Sequence, residues 1–204
     1  MNVLPTQDEV IRVLVETGAI RYGHFQYPSG LRSNEYVQVP LAMRYYQYAK
    51  MFSVGLSRML RRNTEIRAMI NRLSIVAPTV AGLPIAYGIC EALRAAQVYW
   101  AEADDDGMPI HFRQYLTPSK GEVVVMVDDI LRSGRKFREL KTLLESHGAQ
   151  VVALAATVYQ PTPETENFGD LPIYYLAKTE AIFYADKDAC ELPPAVTPPE
   201  RVWI

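Results

Sequence analysis

Between Leu73 and Val158 the chain alternates unbroken apolar runs with amphipathic segments, and this alternation restricts the fold more than any other feature. Leu73 to Ala77, Val98 to Glu102, Val123 to Val127 and Val151 to Val158 read as strands, with helices predicted over Gly82 to Arg94 and Arg135 to His147. Strands that are apolar at successive positions need cover on both faces. Connecting them through helices keeps them pointing the same way. The expectation is an α/β fold with a mostly parallel central sheet and helices on both faces. One interruption is expected: Asp104-Asp105-Asp106-Gly107 reads as the turn of an antiparallel hairpin that returns through Met108 to Leu116.

Upstream, Thr6-Gln7-Asp8-Glu9 forms a capping-box pattern and opens a helix that Gly18 stops. Tyr22 to Phe25 and Tyr36 to Val39 read as short strands around a turn at Pro28-Ser29-Gly30, which makes residues 1–44 a small N-terminal hood. A long amphipathic helix follows from about Gln47 to Arg62. Residues 45–160 form the core, and 161–204 are a proline-rich, acidic extension with a strand near Ile173 to Leu176 and an irregular tail from Pro193. At 204 residues the chain is long enough to bury a core, and the reading is one domain with these elaborations.

A formal net charge of -2 provides no global attraction to nucleic acid or anionic membrane, so any phosphate binding has to be local. Arg58, Arg61 and Arg62 read as a solvated helix face, and no basic arm or helix-turn-helix is present. The uncharged run between Arg72 and Glu91 is broken by Pro78, Gly82, Pro84 and Gly88, which excludes a membrane span. The N-terminus lacks a secretory pattern. Cys90 and Cys190 are far apart and without a CxxC, which argues against a disulfide framework or structural zinc and fits a reducing cytoplasm.

The segment with the strongest chemical content runs from Val123 to Phe137. A buried strand ends in Asp128-Asp129, then Ile130-Leu131-Arg132-Ser133-Gly134 leads into a helix beginning Arg135-Lys136. At the carboxyl edge of an open α/β sheet this order suits a phosphosugar. Free N–H groups at a helix start favour a phosphate monoester, and carboxylates accept hydrogen bonds from vicinal ribose hydroxyls. The alternative is structural: Asp129 or Ser133 caps the helix and Asp128 is a solvated strand-end carboxylate.

This stretch resembles the 5-phosphoribosyl 1-diphosphate (PRPP) signature of type I phosphoribosyltransferases: four apolar residues, two acidic residues, two variable ones, then Thr-Thr-Gly-Gly-Ser/Thr. The acidic pair and Gly134 match, whereas Arg132, Ser133, Arg135 and Lys136 depart from it. Further segments are similar to orotate phosphoribosyltransferase in particular. Ser29-Gly30-Leu31-Arg32-Ser33-Asn34-Glu35-Tyr36 resembles that family's Ser-Gly-x-Lys/Arg-Ser-x-x-Tyr segment, and Pro78-Thr79-Val80-Ala81-Gly82 resembles its diphosphate loop. The hairpin falls where the family carries a mobile catalytic loop, but its acidic tip leaves only Arg113 and His111 as cationic candidates. The stretch from Tyr184 to Trp203 resembles a tail containing Cys-Pro-Leu-Cys, of which Cys190 keeps one cysteine.

The resemblance implies PRPP binding through Asp128 to Lys136, diphosphate binding through Pro78 to Gly82, and base binding through Ser29, Gly30, Arg32, Ser33, Arg132 and Gln160. It implies catalytic roles for Arg113, Asp128 and Asp129, magnesium carried mainly by PRPP with no protein-built metal site, and a homodimer. The expected reaction is phosphoribosyl transfer from PRPP to orotate. One departure bears on the base: the family places an orotate-contacting arginine where this chain has Gln160, and a threonine where it has Arg132. Arg132 is therefore the expected substitute partner for the orotate carboxylate. Two alternatives stay open, a non-catalytic PRPP- or nucleotide-binding regulatory module and a phosphoribosyltransferase for another base.

Overall fold

The computed structural model describes residues 4–78, 80–103, 110–184 and 198–202. In chain order these form α1 (Gln7–Glu16), β1 (Ile20–Gln26), β2 (Arg32–Val37), α2 (Pro40–Met43), α3 (Tyr46–Arg62) and α4 (Thr64–Met69). Next come β3 (Leu73–Ala77), α5 (Leu83–Leu93), β4 (Gln97–Trp100), β5 (Glu102–Ala103) and β6 (Ile110–His111). The remainder is β7 (Val123–Leu131), α6 (Arg135–Ser146), β8 (Gln150–Tyr159), β9 (Ile173–Lys178), β10 (Phe183–Tyr184) and β11 (Glu200–Arg201).

The central sheet has five strands in the order β4-β3-β7-β8-β9, and every neighbouring pair is parallel. The valine run of β7 explains why it is central. Val123, Val125 and Val127 pack on the face carrying Phe52, Leu56 and Leu60 of α3 and Ile85 and Ile89 of α5. Val124 and Met126 point the other way, toward Phe137, Leu140 and Leu144 of α6. Alternate side chains thus bury into two separate cores, and a continuous apolar strand serves both. The α/β reading with helices on both faces is what the molecule adopts.

From β3 the chain proceeds outward to β4, whereas from β7 it proceeds the other way to β8 and β9. Adjacent strands whose connections diverge leave a crevice beyond their carboxyl ends. Here that crevice lies between the loop after β3 and the loop after β7.

Over this edge sits a four-stranded sheet in the order β10-β2-β1-β11. β1 and β2 pair antiparallel around the turn at Tyr27 to Leu31, closed by Tyr27 N–H to Leu31 O and Gly30 N–H to Tyr27 O, both 2.9 Å. The tail expected to be irregular contributes here instead. β11 pairs parallel with β1, Arg21 grips Glu200 through two hydrogen bonds of 2.8 and 2.7 Å, and Val202 is buried with Phe25 and Tyr27. An extended segment next to an unpaired sheet edge satisfies its backbone by joining it, and composition does not reveal that edge. The hairpin of β5 and β6 is present, with its predicted turn at 104–107 outside the described residues. So are Thr79, Cys190 and Trp203.

Candidate active site

Two expectations about the acidic pair change in the structure. First, β7 does not end at Asp128-Asp129 but runs through both to Leu131, pairing Asp128 with Ala156 and Leu131 with Tyr159. Both aspartates are buried, not solvated. Second, Asp129 does not cap α6: its N-cap is Gly134, in a left-handed conformation with φ 80° and no side-chain cap, while Ser133 reaches the helix start through Oγ, which accepts from the Arg135 N–H at 3.4 Å. With no side-chain cap on Gly134 itself, the helix start faces the crevice with the N–H geometry that suits a phosphate.

Because successive strand residues face opposite ways, the two carboxylates look into different halves of the crevice. Asp128 lies against Gly82, the N-cap of α5, and senses the charge of Lys136. Asp129 senses Arg132, and Tyr36 of the hood senses Asp129. Burial, and then the charge of Asp129, push the Asp128 carboxyl well above the usual carboxylate range. Burial also raises Asp129, opposed by its hydrogen bonding with Asp128 and by Arg132. A hydroxyl-rich or cationic ligand in this crevice relieves that strain by restoring partners to the ionised forms.

The loop after β3 begins with buried Pro78, makes a tight turn over Val80–Gly82 and opens α5 with Pro84 in its first turn. Val80 and Ala81 are exposed, while Gly82 is buried against β7. The loop after β7 is held from outside by a segment that sequence reasoning left unassigned. Thr165 Oγ1 donates to the Arg132 carbonyl at 2.7 Å, Glu166 N–H donates to the Ser133 carbonyl at 2.8 Å, and Glu166 pairs with Arg138 at 2.6 Å. With those carbonyls occupied outward, the loop is fixed as it enters the helix.

Of the basic residues in the loop, Lys136 is half-buried near Asp128, and Arg135 is an exposed partner of Glu139 at 3.6 Å. Arg132 leaves the phosphate loop and turns toward the hood. Its Nε donates to Gln160 Oε1 at 2.8 Å, and its guanidinium lies 4.7 Å from the centre of the Tyr27 ring. Gln160 is completely buried, and its Nε2 donates to buried Glu35 of β2 at 2.7 Å.

The structure brings Asp128, Asp129, Gly82, Lys136, Arg132 and Gln160 around one crevice. Arg32 is half-buried and Ser33 buried on the hood, but Ser33 Oγ is occupied by the Glu35 N–H at 3.1 Å. Ser29 and Gly30 lie on the exposed turn, whereas Tyr27 of the hood lies against Arg132 and Glu35 accepts from Gln160. Arg113 is exposed and tied to Glu102, 2.5 Å from its Oε2. Glu35 was legible in principle: Ser33, Glu35 and Val37 share one buried phase of β2, and a glutamate in that phase needs a buried partner.

Among the described residues no group of three or more His, Cys, Asp or Glu side chains could hold a metal ion, and no helix is long and apolar enough to cross a membrane. The oxygen-only chemistry of the acidic pair does suit a hard divalent cation that arrives with its own phosphate ligands.

The family model described as phosphoribosyl transferase domain matches residues 56–170, more than half of the chain. The orotate phosphoribosyltransferase of Carboxydothermus hydrogenoformans is 29% identical over 196 residues, covering 95% of this chain and 97% of its own length. That of Thermotoga maritima is 27% identical over 190 residues, with 93% and 94% covered. The solved orotate phosphoribosyltransferase from Aeropyrum pernix superposes with a TM-score of 0.64 at 20% identity, over 83% of this chain and 93% of its own, which establishes likeness of fold.

Proposed function

From the premise that the chain belongs to the phosphoribosyl transferase domain family, we propose that it transfers the 5-phosphoribosyl group of PRPP to orotate, forming orotidine 5′-phosphate and diphosphate. The observation that carries this reading is the meeting of Gly82 with Asp128, which joins the loop after β3 to the acidic pair at the switch of the sheet. A sugar with phosphate at one end and diphosphate at the other fits between the start of α6 and the start of α5.

In this reading Asp128 and Asp129 accept from the ribose hydroxyls, Ser133 to Lys136 surround the 5′-phosphate, and the Pro78 to Gly82 loop approaches the diphosphate through its backbone. Magnesium bound with PRPP supplies charge neutralisation for the departing diphosphate. The base presents a ring nitrogen to the anomeric carbon. As the new C–N bond forms the C–O bond to diphosphate breaks, with both electrons leaving on the diphosphate oxygen, and no side chain becomes a covalent nucleophile. Positioning and charge stabilisation are thus the protein's main contributions. Arg113 reaches the leaving group only after exchanging Glu102 for it.

Arg132 is the partner of the orotate carboxylate. Its Nε is bound and its face stacked, while no described residue accepts from its terminal nitrogens. A planar fork in that state matches a carboxylate. A homodimer follows from the family reading and is checked by sedimentation.

The test is calorimetric titration with PRPP and magnesium, then orotate, with diphosphate measured in the same sample. Sustained heat and stoichiometric diphosphate are expected. PRPP binding without turnover on orotate, but with turnover on a purine or uncarboxylated pyrimidine, replaces the acceptor; PRPP binding without turnover on any base leaves a regulatory module.

A further inference from the structure

We infer that Glu35 is a positioning residue for base recognition, acting on Arg132 through the amide of Gln160. The inference rests on the carboxylated-base reading above.

Glu35 Oε1 accepts from the Gln160 side chain, so buried Glu35 dictates which way the Gln160 amide faces. The amide nitrogen turns to Glu35 at 2.7 Å, and the carbonyl oxygen is left facing Arg132 Nε at 2.8 Å. A flipped amide would set one donor against another and leave buried Glu35 facing a second acceptor. Glu35 thus makes Gln160 an acceptor, and Gln160 holds the guanidinium by its side rather than by its end.

The Tyr27 ring completes the constraint, since it underlies the guanidinium and its hydroxyl reaches the Glu35 carbonyl at 3.5 Å. With one nitrogen bonded and one face covered, rotation of the guanidinium about its final bond is restricted. Its two terminal nitrogens form a preset fork.

The intervening amide also keeps the acid out of the fork. Direct contact between Glu35 and Arg132 would fill the very position a substrate carboxylate needs. One amide apart, Glu35 orients the cation without occupying it. Because Glu35 and Tyr27 belong to the hood while Gln160 and Arg132 belong to the core, this chain of contacts couples the placement of the hood to the grip on the base.

Steady-state kinetics on the full chain with PRPP, magnesium and either orotate or uracil tests the inference. Glu35→Leu is expected to raise the KM for orotate about tenfold, as loss of a charge-assisted bond does, and to leave the KM for PRPP unchanged. Glu35→Gln retains an acceptor and is expected to stay within about threefold of the parent. The double variant Glu35→Leu with Arg132→Ala should be no worse than Arg132→Ala alone, since both act at one point. If Glu35→Leu does not fold, Gln160→Met breaks the same chain at its middle and is read in the same way. An unchanged orotate KM, equal increases for both substrates, or multiplicative losses in the double variant overturns the role of Glu35. Parent protein that uses uracil and ignores orotate overturns the carboxylated-base reading itself, and the inference with it.

Discussion

Gly82 is packed so tightly on Asp128 that a Cβ at residue 82 would stand 2.7 Å from Oδ1, 3.0 Å from the Val127 carbonyl and 3.1 Å from the Asp128 Cα. The closest of the three is a side-chain oxygen and the other two are strand backbone, so turning the Asp128 carboxyl aside relieves only part of the collision. Gly82→Ala should cost about 2 kcal/mol of stability, the usual scale for overpacking, and weaken PRPP binding by more than tenfold. Retention of full PRPP affinity would dissociate the α5 start from the sugar site.

The acidic pair predicts an unusual dependence of stability on pH. For Asp128 the folded-state pKa lies above the unfolded one, so the folded protein holds the proton longer. Stability from this group declines as pH rises from about 4, the unfolded carboxylate value, and levels off above the raised folded value. Asp128→Asn is expected to remove that decline, raise Tm at pH 7 and abolish turnover. Thermal melts of parent and variant between pH 4 and 8 provide the check; a Tm lowered at pH 7 would contradict it.

Gly134 has φ 80°, and a Cβ there would come within 3.0 Å of Glu166 Cβ and of the Phe168 ring. Gly134→Ala therefore combines backbone strain of about 1 kcal/mol with pressure on the segment that holds the loop carbonyls. Inorganic phosphate affinity, measured by calorimetry, should fall while far-ultraviolet circular dichroism stays unchanged. Undiminished phosphate binding would mean that the loop tolerates displacement of its outer clasp.

Arg113 separates stability from activity. Its pairing with Glu102 is exposed, and such pairs contribute little to folding. Arg113→Ala should leave Tm within about two degrees and lower kcat about a hundredfold, the scale for removing one donor to a developing charge. An unchanged kcat would remove the hairpin from the chemistry.

The sheet and its two helical layers were legible because Val123 to Val127 can only be buried on both faces, and Gly134 because a strand-to-helix turn demands it. Other features depend on distant partners. Asp128 and Asp129 read as a strand end, since two carboxylates inside a central strand are intelligible only with Gly82, Lys136 and Arg132 around them. α4 was missed because its few residues are set by the Asn63 side chain, which accepts from Glu65 and Ile66 N–H at 2.9 and 3.1 Å. Glu35 and Gln160 are 125 residues apart, and nothing local announces that a glutamate in one strand fixes an amide at the end of another.

The hood closes only when Glu200 and Arg201 lie beside Phe25 and Gln26, whereas β3, β7 and β8, with the loops that would bind PRPP, are complete by residue 160. Pairings across so long a span form late, since loop closure must precede their gain. During synthesis, then, the loops that would take the phosphosugar, with Arg132 and Gln160 among them, are in place before the hood that would orient Arg132 toward the base. Selectivity is the last property the folding chain acquires, and a proteolytic cut ahead of residue 198 is expected to remove it first.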